Sequence, residues 1–285
     1  MTTHIRFSIV ICSINPLKFA EVSEMYESLL ANFHFEIIGI RDARSLAEGY
    51  NRGLRQARGD IVIFSHDDIL ILDPNFAQKI SARLQDFDIL GFAGTRYLES
   101  EYWWKMDIPW ASGAIANTHG DSINLSVWNT DPWPVVDGIQ AIDGLCIMAR
   151  QETAREIGFD ATVFDGFHLY DLDFSFSAWR ASKKLGVCCD IPIIHASFGN
   201  FGEIHQKYAR LFRAKHQNAL PCPSHSASPH KGRCTPVSDS RALTKIWRQE
   251  FFRRRAIALG SPEQFRCPDP EPDEIAQSFH NGFDS

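Results

Sequence analysis

Asp60-Ile61-Val62-Ile63-Phe64-Ser65-His66-Asp67-Asp68 decides how this chain reads. An unbroken run of β-branched and aromatic residues is the pattern of a strand buried on both faces of a sheet. This run stops at Ser-His-Asp-Asp, which sets hard oxygen ligands on the sheet's rim. Open α/β folds hold a metal, and the phosphates it neutralises, at that rim. Two acids after a strand can also simply begin a loop, because Asp favours turns. The sequence on either side is needed to choose between the two.

Residues 5–12 form another continuous apolar run, predicted as a central parallel strand. Asn15-Pro16 then opens a helix through residue 30, Pro being tolerated in a first turn. Residues 35–40 are a second strand. Ser45, with Glu48 three residues on, reads as a capping box at the head of a helix to residue 58. After the strand at 60–65, Asp73-Pro74 opens a further helix and 88–93 is a fourth strand. This alternation predicts an α/β fold, an open and mostly parallel sheet with helices on both faces. From 94 to 138 the rhythm breaks, and the strands are expected to be short and irregular among Trp103, Trp104, Trp110, Trp128 and Trp133. Order returns with a strand pattern over 139–149 that contains Asp143-Gly144, and a short helix from Gln151. A long loop at 159–169, a helix over 171–184 and an apolar strand over 187–196 bearing His195 follow.

A chain of 285 residues, 44% hydrophobic and 12% aromatic, can bury one sizeable core and carry an appendage. A net charge of −6 offers no global field for a nucleic-acid partner. The seven cysteines are an odd number, and Cys12, Cys146, Cys188 and Cys189 lie in apolar stretches. That suits buried thiols in a reducing cytoplasm better than a disulfide framework. Met1-Thr-Thr-His-Ile-Arg has neither the n-region nor the long apolar h-region of a signal peptide. No stretch approaches the roughly 18 apolar residues of a membrane span. A soluble, cytoplasmic protein is expected.

A helix carrying Asn51-Arg-Gly53, a strand ending in a D-x-D-like group, and Asp73-Pro74 opening the next helix resemble the nucleotide-binding half of family 2, GT-A-type glycosyltransferases. The resemblance spans roughly residues 5–200. It implies a nucleotide-diphospho-sugar transferase fold that uses Mn2+ or Mg2+ to move a sugar onto an acceptor hydroxyl, with a nucleotide-diphosphate sugar as donor. In that family the strand ends D-x-D, or H-x-D in one branch, and the last Asp holds the metal. Asp68 is thereby implied as ligand, His66 as a metal or phosphate contact, and Asp67 as a ribose contact. Tyr170-Asp171-Leu-Asp173 resembles the family's Glu-Asp-x-Asp segment with Tyr170 in place of Glu. Its second residue is the general base of inverting members, which implies Asp171. A carboxylate at a helix N-terminus is favoured in its charged form. Plain capping, with Asp171 as N-cap, is the alternative. A His just after the last strand reaches the metal or diphosphate in the family, which points to His195; a satisfied structural His is the plainer reading. Asp143-Gly144 resembles the Asp-Gly at the donor–acceptor boundary, and a β-bulge would look the same.

For the nucleotide, strand C-termini place Ser13, Asn15 and Asp42 beside the base. Asn51 and Arg55, one helical turn apart, can face the ribose or diphosphate, though Arg55 also reads as a solvated charge. The Trp-rich segment suits an acceptor platform, while large aromatics also fill cores. Acceptors implied by the resemblance are glycans, lipid-linked or protein-linked. The catalytic domain is expected over 1–202, with a nucleotide half at 5–98 and an acceptor half at 99–202.

Residues 203–285 read as a helical appendage with a Pro/Ser-rich linker at 221–240 and an acidic tail, 268–274, expected to be mobile. Cys222, His225, His230 and Cys234 have spacing that a small Zn2+ site could use. The basic helix at 241–259 aligns Leu243, Ile246, Trp247 and Phe251 on one stripe. That stripe could meet the inner face of the plasma membrane or dock on the catalytic domain. Two rival functions remain open. One is a non-catalytic nucleotide- or sugar-binding module with a degenerate site. The other is a nucleotidyltransferase, disfavoured because Cys12-Ser-Ile-Asn-Pro-Leu-Lys18 lacks that class's Gly-rich loop.

Overall fold

The computed structural model describes residues 5–106, 110–119, 122–128, 134–197, 202–221 and 233–258. Trp133, Cys222, His225, His230 and the acidic tail lie outside the described residues, and of Cys234 only the backbone is described.

The chain runs β1 (Arg6–Cys12), α1 (Pro16–Leu29), β2 (His34–Ile40), α2 (Leu46–Gln56), β3 (Ile61–Ser65), β4 (Ile69–Ile71), α3 (Phe76–Arg83), β5 (Ile89–Gly91) and β6 (Ala93–Thr95). It continues with β7 (Ala111–His119), β8 (Ser122–Val127), β9 (Val135–Val136), β10 (Ala141–Ile142), β11 (Cys146–Arg150), α4 (Gln151–Ile157), α5 (Tyr170–Arg180), β12 (Leu185–Cys188) and β13 (Ile193–His195). α6 (Glu203–His216), β14 (Arg233–Val237) and α7 (Ser240–Ala258) follow. One sheet has the order β2-β1-β3-β11-β5-β12-β9. Its first three strands are parallel, as the alternation predicts, and β11 enters antiparallel between β3 and β5.

A second sheet, β10-β6-β7-β13-β4 with β8 added beside β7 and β14 beside β8, draws β7 and β8 from the region expected to be irregular. Its β7–β8 hairpin pairs residues 114–119 with 122–127, so the Trp-rich segment is regular over much of its length. Two expected single strands are each divided between the sheets. The 139–149 pattern breaks at Asp143-Gly144 into β10 and β11, and the 187–196 pattern breaks around Pro192 into β12 and β13. A proline has no N–H for a ladder and marks such a break.

Local signals act as their chemistry requires. Asn15 Oδ1 accepts the N–H groups of Leu17 and Lys18 at 2.9 and 3.3 Å, with Pro16 opening α1. Ser45 Oγ accepts Glu48 N–H at 3.1 Å to cap α2. α2 lies so close on β1 that a Cβ at Gly53 would sit 2.1 Å from Val10 Cγ1. Asn51 clamps a distant loop: its amide donates to Phe159 O at 2.7 Å and accepts Phe159 N–H at 3.0 Å. The loop's Phe159 is thereby stacked on Phe174 of α5 at 4.3 Å, with Phe64 of β3 edge-on at 4.9 Å. Cys146 and Cys188 are free buried thiols, pushed up to about 12 and about 11 by burial, in line with the reading of unpaired cysteines.

The C-terminal elements are docked. Asp173 of α5, 2% exposed, receives His216 Nε2 at 2.8 Å and Lys215 Nζ at 2.8 Å from α6. In α7, Leu243 and Trp247 are buried and the Trp247 indole N–H donates to Cys189 O at 2.9 Å. The apolar stripe offered for membrane contact is therefore turned inward at two of its four residues, and the docked-helix alternative is the one observed. No helix among the described residues is long and apolar enough to cross a membrane. Because the α2–β1 contact leaves no room at Gly53, Gly53→Val is expected to destabilise the fold by about 1–3 kcal/mol, read by chemical denaturation.

Candidate functional site

β3 and β4 belong to different sheets, and the chain crosses between them through His66, Asp67 and Asp68. His66 N–H continues the β3–β11 ladder by donating to Leu145 O at 3.0 Å. Asp68 O accepts Ala196 N–H at 2.8 Å, which continues the antiparallel β4–β13 ladder, where His195 pairs with Ile69. Backbone pairing on both sides therefore brings His66, Asp68 and His195 together. Their nearest ligand atoms all lie within 4.8 Å of one another. His195 Nε2 is 3.2 Å from Asp68 Oδ1 and 3.3 Å from His66 Nδ1, and His66 Nδ1 is 3.9 Å from the same oxygen.

The protons of this cluster follow from Tyr170. Its O–H donates to Gly144 O at 3.3 Å, so its oxygen accepts His66 Nε2–H at 2.8 Å. Burial, with His195 beside it, lowers His66 to about 4. At neutral pH the ring therefore holds one proton, at Nε2, and offers the Nδ1 lone pair to the cluster. Burial works to raise Asp68, but the His195 hydrogen bond and the charges of His195, His66 and Lys18 outweigh it and hold the carboxyl well below its usual range. Two imidazole nitrogens and an ionised carboxylate converging on one point fit a divalent cation. The nitrogen donors suit Mn2+ better than Mg2+, which prefers oxygen.

Asp171 stands one residue from Tyr170, against Gly144. A Cβ at Gly144 would meet Tyr170 Oη at 2.5 Å and Asp171 Oδ2 at 2.8 Å, so only glycine permits this approach. Asp171 is not the N-cap; Leu169, with φ 59°, holds that position. Nor is its carboxyl kept low by the helix terminus, as the sequence suggests. Burial and the nearby Asp143 raise it to about 7, against hydrogen bonds from the N–H groups of Leu172, Asp171 and Gly144. Asp143 is itself raised by burial, with His195 and the Trp103 indole working against the shift.

The expected nucleotide contacts are dispersed along the same edge. Ser13 Oγ donates to Asn15 O at 2.9 Å, and the Asn15 side chain is occupied as a helix cap. Asp42 is exposed and hydrogen-bonded to Arg52, whose guanidinium holds its carboxyl below the usual range. Asn51 is committed to the Phe159 backbone, Arg55 is exposed, and Asp67 is partly buried in the crossing segment. Sequence reasoning missed three contributors: Tyr170 as the partner of His66, Trp103 on Asp143, and Lys18, 3.8 Å from Asp68 Oδ2. Lys18 was findable, since it lies three residues after the cap that fixes the first turn of α1.

A mixed α/β protein with a cation-competent His-Asp-His cluster at strand C-termini, beside a carboxyl that titrates near neutrality, is the class this architecture defines. A family model described as Glycosyltransferase like family matches residues 8–217, and the chain belongs to that family. The α/β fold class expected from the sequence is the one observed. No curated protein matches the chain. Among solved structures, it is similar to the mannosyltransferase PcManGT from Pyrobaculum calidifontis in complex with GDP-Man and Mn2+, at 14% identity and a TM-score of 0.46, covering 81% of this chain and 68% of that one. It is also similar to S. aureus TarS 1–349 in complex with UDP, at 12% identity and a TM-score of 0.46, covering 90% and 75%.

Removing the Tyr170 hydroxyl frees His66 Nε2 and Gly144 O at once. Tyr170→Phe should lower Mn2+ affinity by about 10–100-fold in a direct titration, with circular dichroism unchanged.

Proposed function

We propose that this protein is a metal-dependent, inverting glycosyltransferase that moves a sugar from a nucleotide-diphosphate donor to an acceptor hydroxyl. One observation carries the reading: the His66–Asp68–His195 cluster and the Asp171 carboxyl are joined through a single buried relay, Tyr170 and Gly144. His66, Asp68 and His195 would hold Mn2+ in preference to Mg2+, and the bound ion would neutralise the leaving diphosphate.

Asp171 acts as the general base. Removing the acceptor hydroxyl's proton at neutral pH needs a carboxylate basic enough to keep it, and burial beside Asp143 supplies that basicity. Gly144 leaves the space that Tyr170 Oη and Asp171 occupy, which seats the base beside the cluster. The nucleoside is held along the C-terminal edge of β1 and β2, where Ser13, Asn15, Asp42, Arg52 and Asp67 lie. Arg55 is at most a peripheral contact, and Asn51 acts by fixing the loop that leads to Asp171. Tyr102 and Trp104, edge to face at 5.5 Å beside the Trp103 that serves Asp143, supply the apolar wall for a glycan, lipid-linked or protein-linked acceptor. The catalytic unit comprises the nucleotide half, 5–98, and the acceptor half, 99–202, with α6 as a buttress.

The test is a thermal-shift screen of UDP, GDP, dTDP and CDP with and without Mn2+. One nucleotide should stabilise the protein only with metal, and Asp68→Ala should abolish that shift; no response to any nucleotide would sink the reading. Asp171→Asn should retain nucleotide binding and lose about 100–10,000-fold in kcat, which separates an enzyme from a binding module.

The pH dependence has a fixed sign. The folded carboxyl of Asp171 titrates above its unfolded value, so the native state loses stability as pH rises from about 4 to about 7. Asp171→Asn should therefore melt higher than wild type at pH 8, with the difference shrinking toward pH 4. Wild-type turnover should rise through a limb near pH 7 as the base ionises.

A further inference from the structure

Asp68 turns its two carboxylate oxygens to different partners. Oδ1 faces both histidines, at 3.2 Å from His195 Nε2 and 3.9 Å from His66 Nδ1, whereas Oδ2 lies 3.8 Å from Lys18 Nζ. The Lys18 side chain is 46% exposed and that of Asp68 only 12%, so the ammonium reaches the cluster from its solvent side. The lysine's backbone is fixed, because its N–H donates to Asn15 Oδ1 at 3.3 Å in the first turn of α1. Among the described residues, Lys18 is the one lysine or arginine paired with the cluster.

We propose that Lys18 is a diphosphate-binding residue that exchanges partners: it neutralises Asp68 while the cation site is empty and passes its ammonium to the donor's diphosphate when a cation takes Asp68. The inference rests on the metal reading of His66, Asp68 and His195. Three physical points support it. An ion pair this long and this exposed is worth little, so breaking it costs little. A divalent cation on Asp68 repels the ammonium that previously neutralised it. The flexible four-carbon stem then lets the charge move to phosphate oxygens, where a charge-assisted hydrogen bond is far stronger. The rim is also acidic, with Asp67, Asp68, Asp143 and Asp171 close in the fold, so a diphosphate entering it gains from a cation beyond the metal.

Exchange makes Lys18 a competitor of the metal and a helper of the phosphate, two effects of opposite sign. The full chain and its Lys18→Met and Lys18→Arg variants would be titrated with Mn2+ alone, by loss of the free-ion EPR signal. Each would then be titrated with inorganic pyrophosphate in saturating Mg2+, by calorimetry. Lys18→Met is expected to bind Mn2+ about two- to fivefold tighter. The same variant should bind pyrophosphate about tenfold weaker or worse. Lys18→Arg should keep pyrophosphate binding within about threefold of wild type. Unchanged pyrophosphate affinity in Lys18→Met, or weaker Mn2+ binding by it, overturns the exchange while leaving the metal site standing. Wild-type protein that binds no Mn2+ overturns the metal assignment, and the exchange with it.

Discussion

The passage from β3 to β4 is the constraint on which the rest of the structure depends. The chain leaves one sheet after Ser65 and enters the other at Ile69, and backbone hydrogen bonds hold both ends of the crossing. Buried N–H and C=O groups must be paired, so neither ladder can be given up cheaply. The strand β13, with Ile193 and Ile194 buried in the core, pairs with β4 and β7 and delivers His195 opposite the crossing. Pro192 immediately precedes β13, and its carbonyl accepts Leu72 N–H at 2.9 Å, which extends the β4–β13 pairing. Two sheets thus meet at a seam, and the chemistry lies along it.

Burial has opposite consequences for the carboxyls on this seam because their neighbours differ. Asp68 faces two histidines and a lysine and remains ionised. Asp143 is raised by burial, and Asp171 by burial and the nearby Asp143. One carboxylate is thereby kept ionised while another is made basic, a difference set by environment rather than by residue type. Tyr170 separates the two zones. Where the resembled family carries a glutamate, a neutral phenol links a histidine to a backbone carbonyl and adds no third charge.

Much of the first half was legible because its signals are local. The apolar runs of β1 and β3, the Asn15 and Ser45 caps, and the acids after Ser65 each declare themselves within a few residues. What escaped depends on pairing across long separations. The 187–196 run reads as one strand, and only its partners, β5 and β9 on one side of Pro192 and β4 and β7 on the other, divide it. The β7–β8 hairpin hides in a segment whose Gly, Asn and Trp content suggests irregularity. Asp171 looked like a capping residue held charged by the helix terminus, because the opposing Asp143 lies on another strand and burial leaves no mark on the sequence. Asn51 fits its motif, yet its hydrogen bonds go to a loop 108 residues away.

The contact between α5 and α6 has a consequence for how long such a chain must be. Every residue proposed for chemistry precedes residue 202, yet Asp173, two residues beyond the proposed base Asp171, is paired with Lys215 and His216. A chain ending at 202 would lose both partners together with α6, the helix that packs them against α5. The family match ends at residue 217, one position past the second of those partners. An ion pair that lies away from the proposed site therefore ties α6 to the helix that carries Asp171.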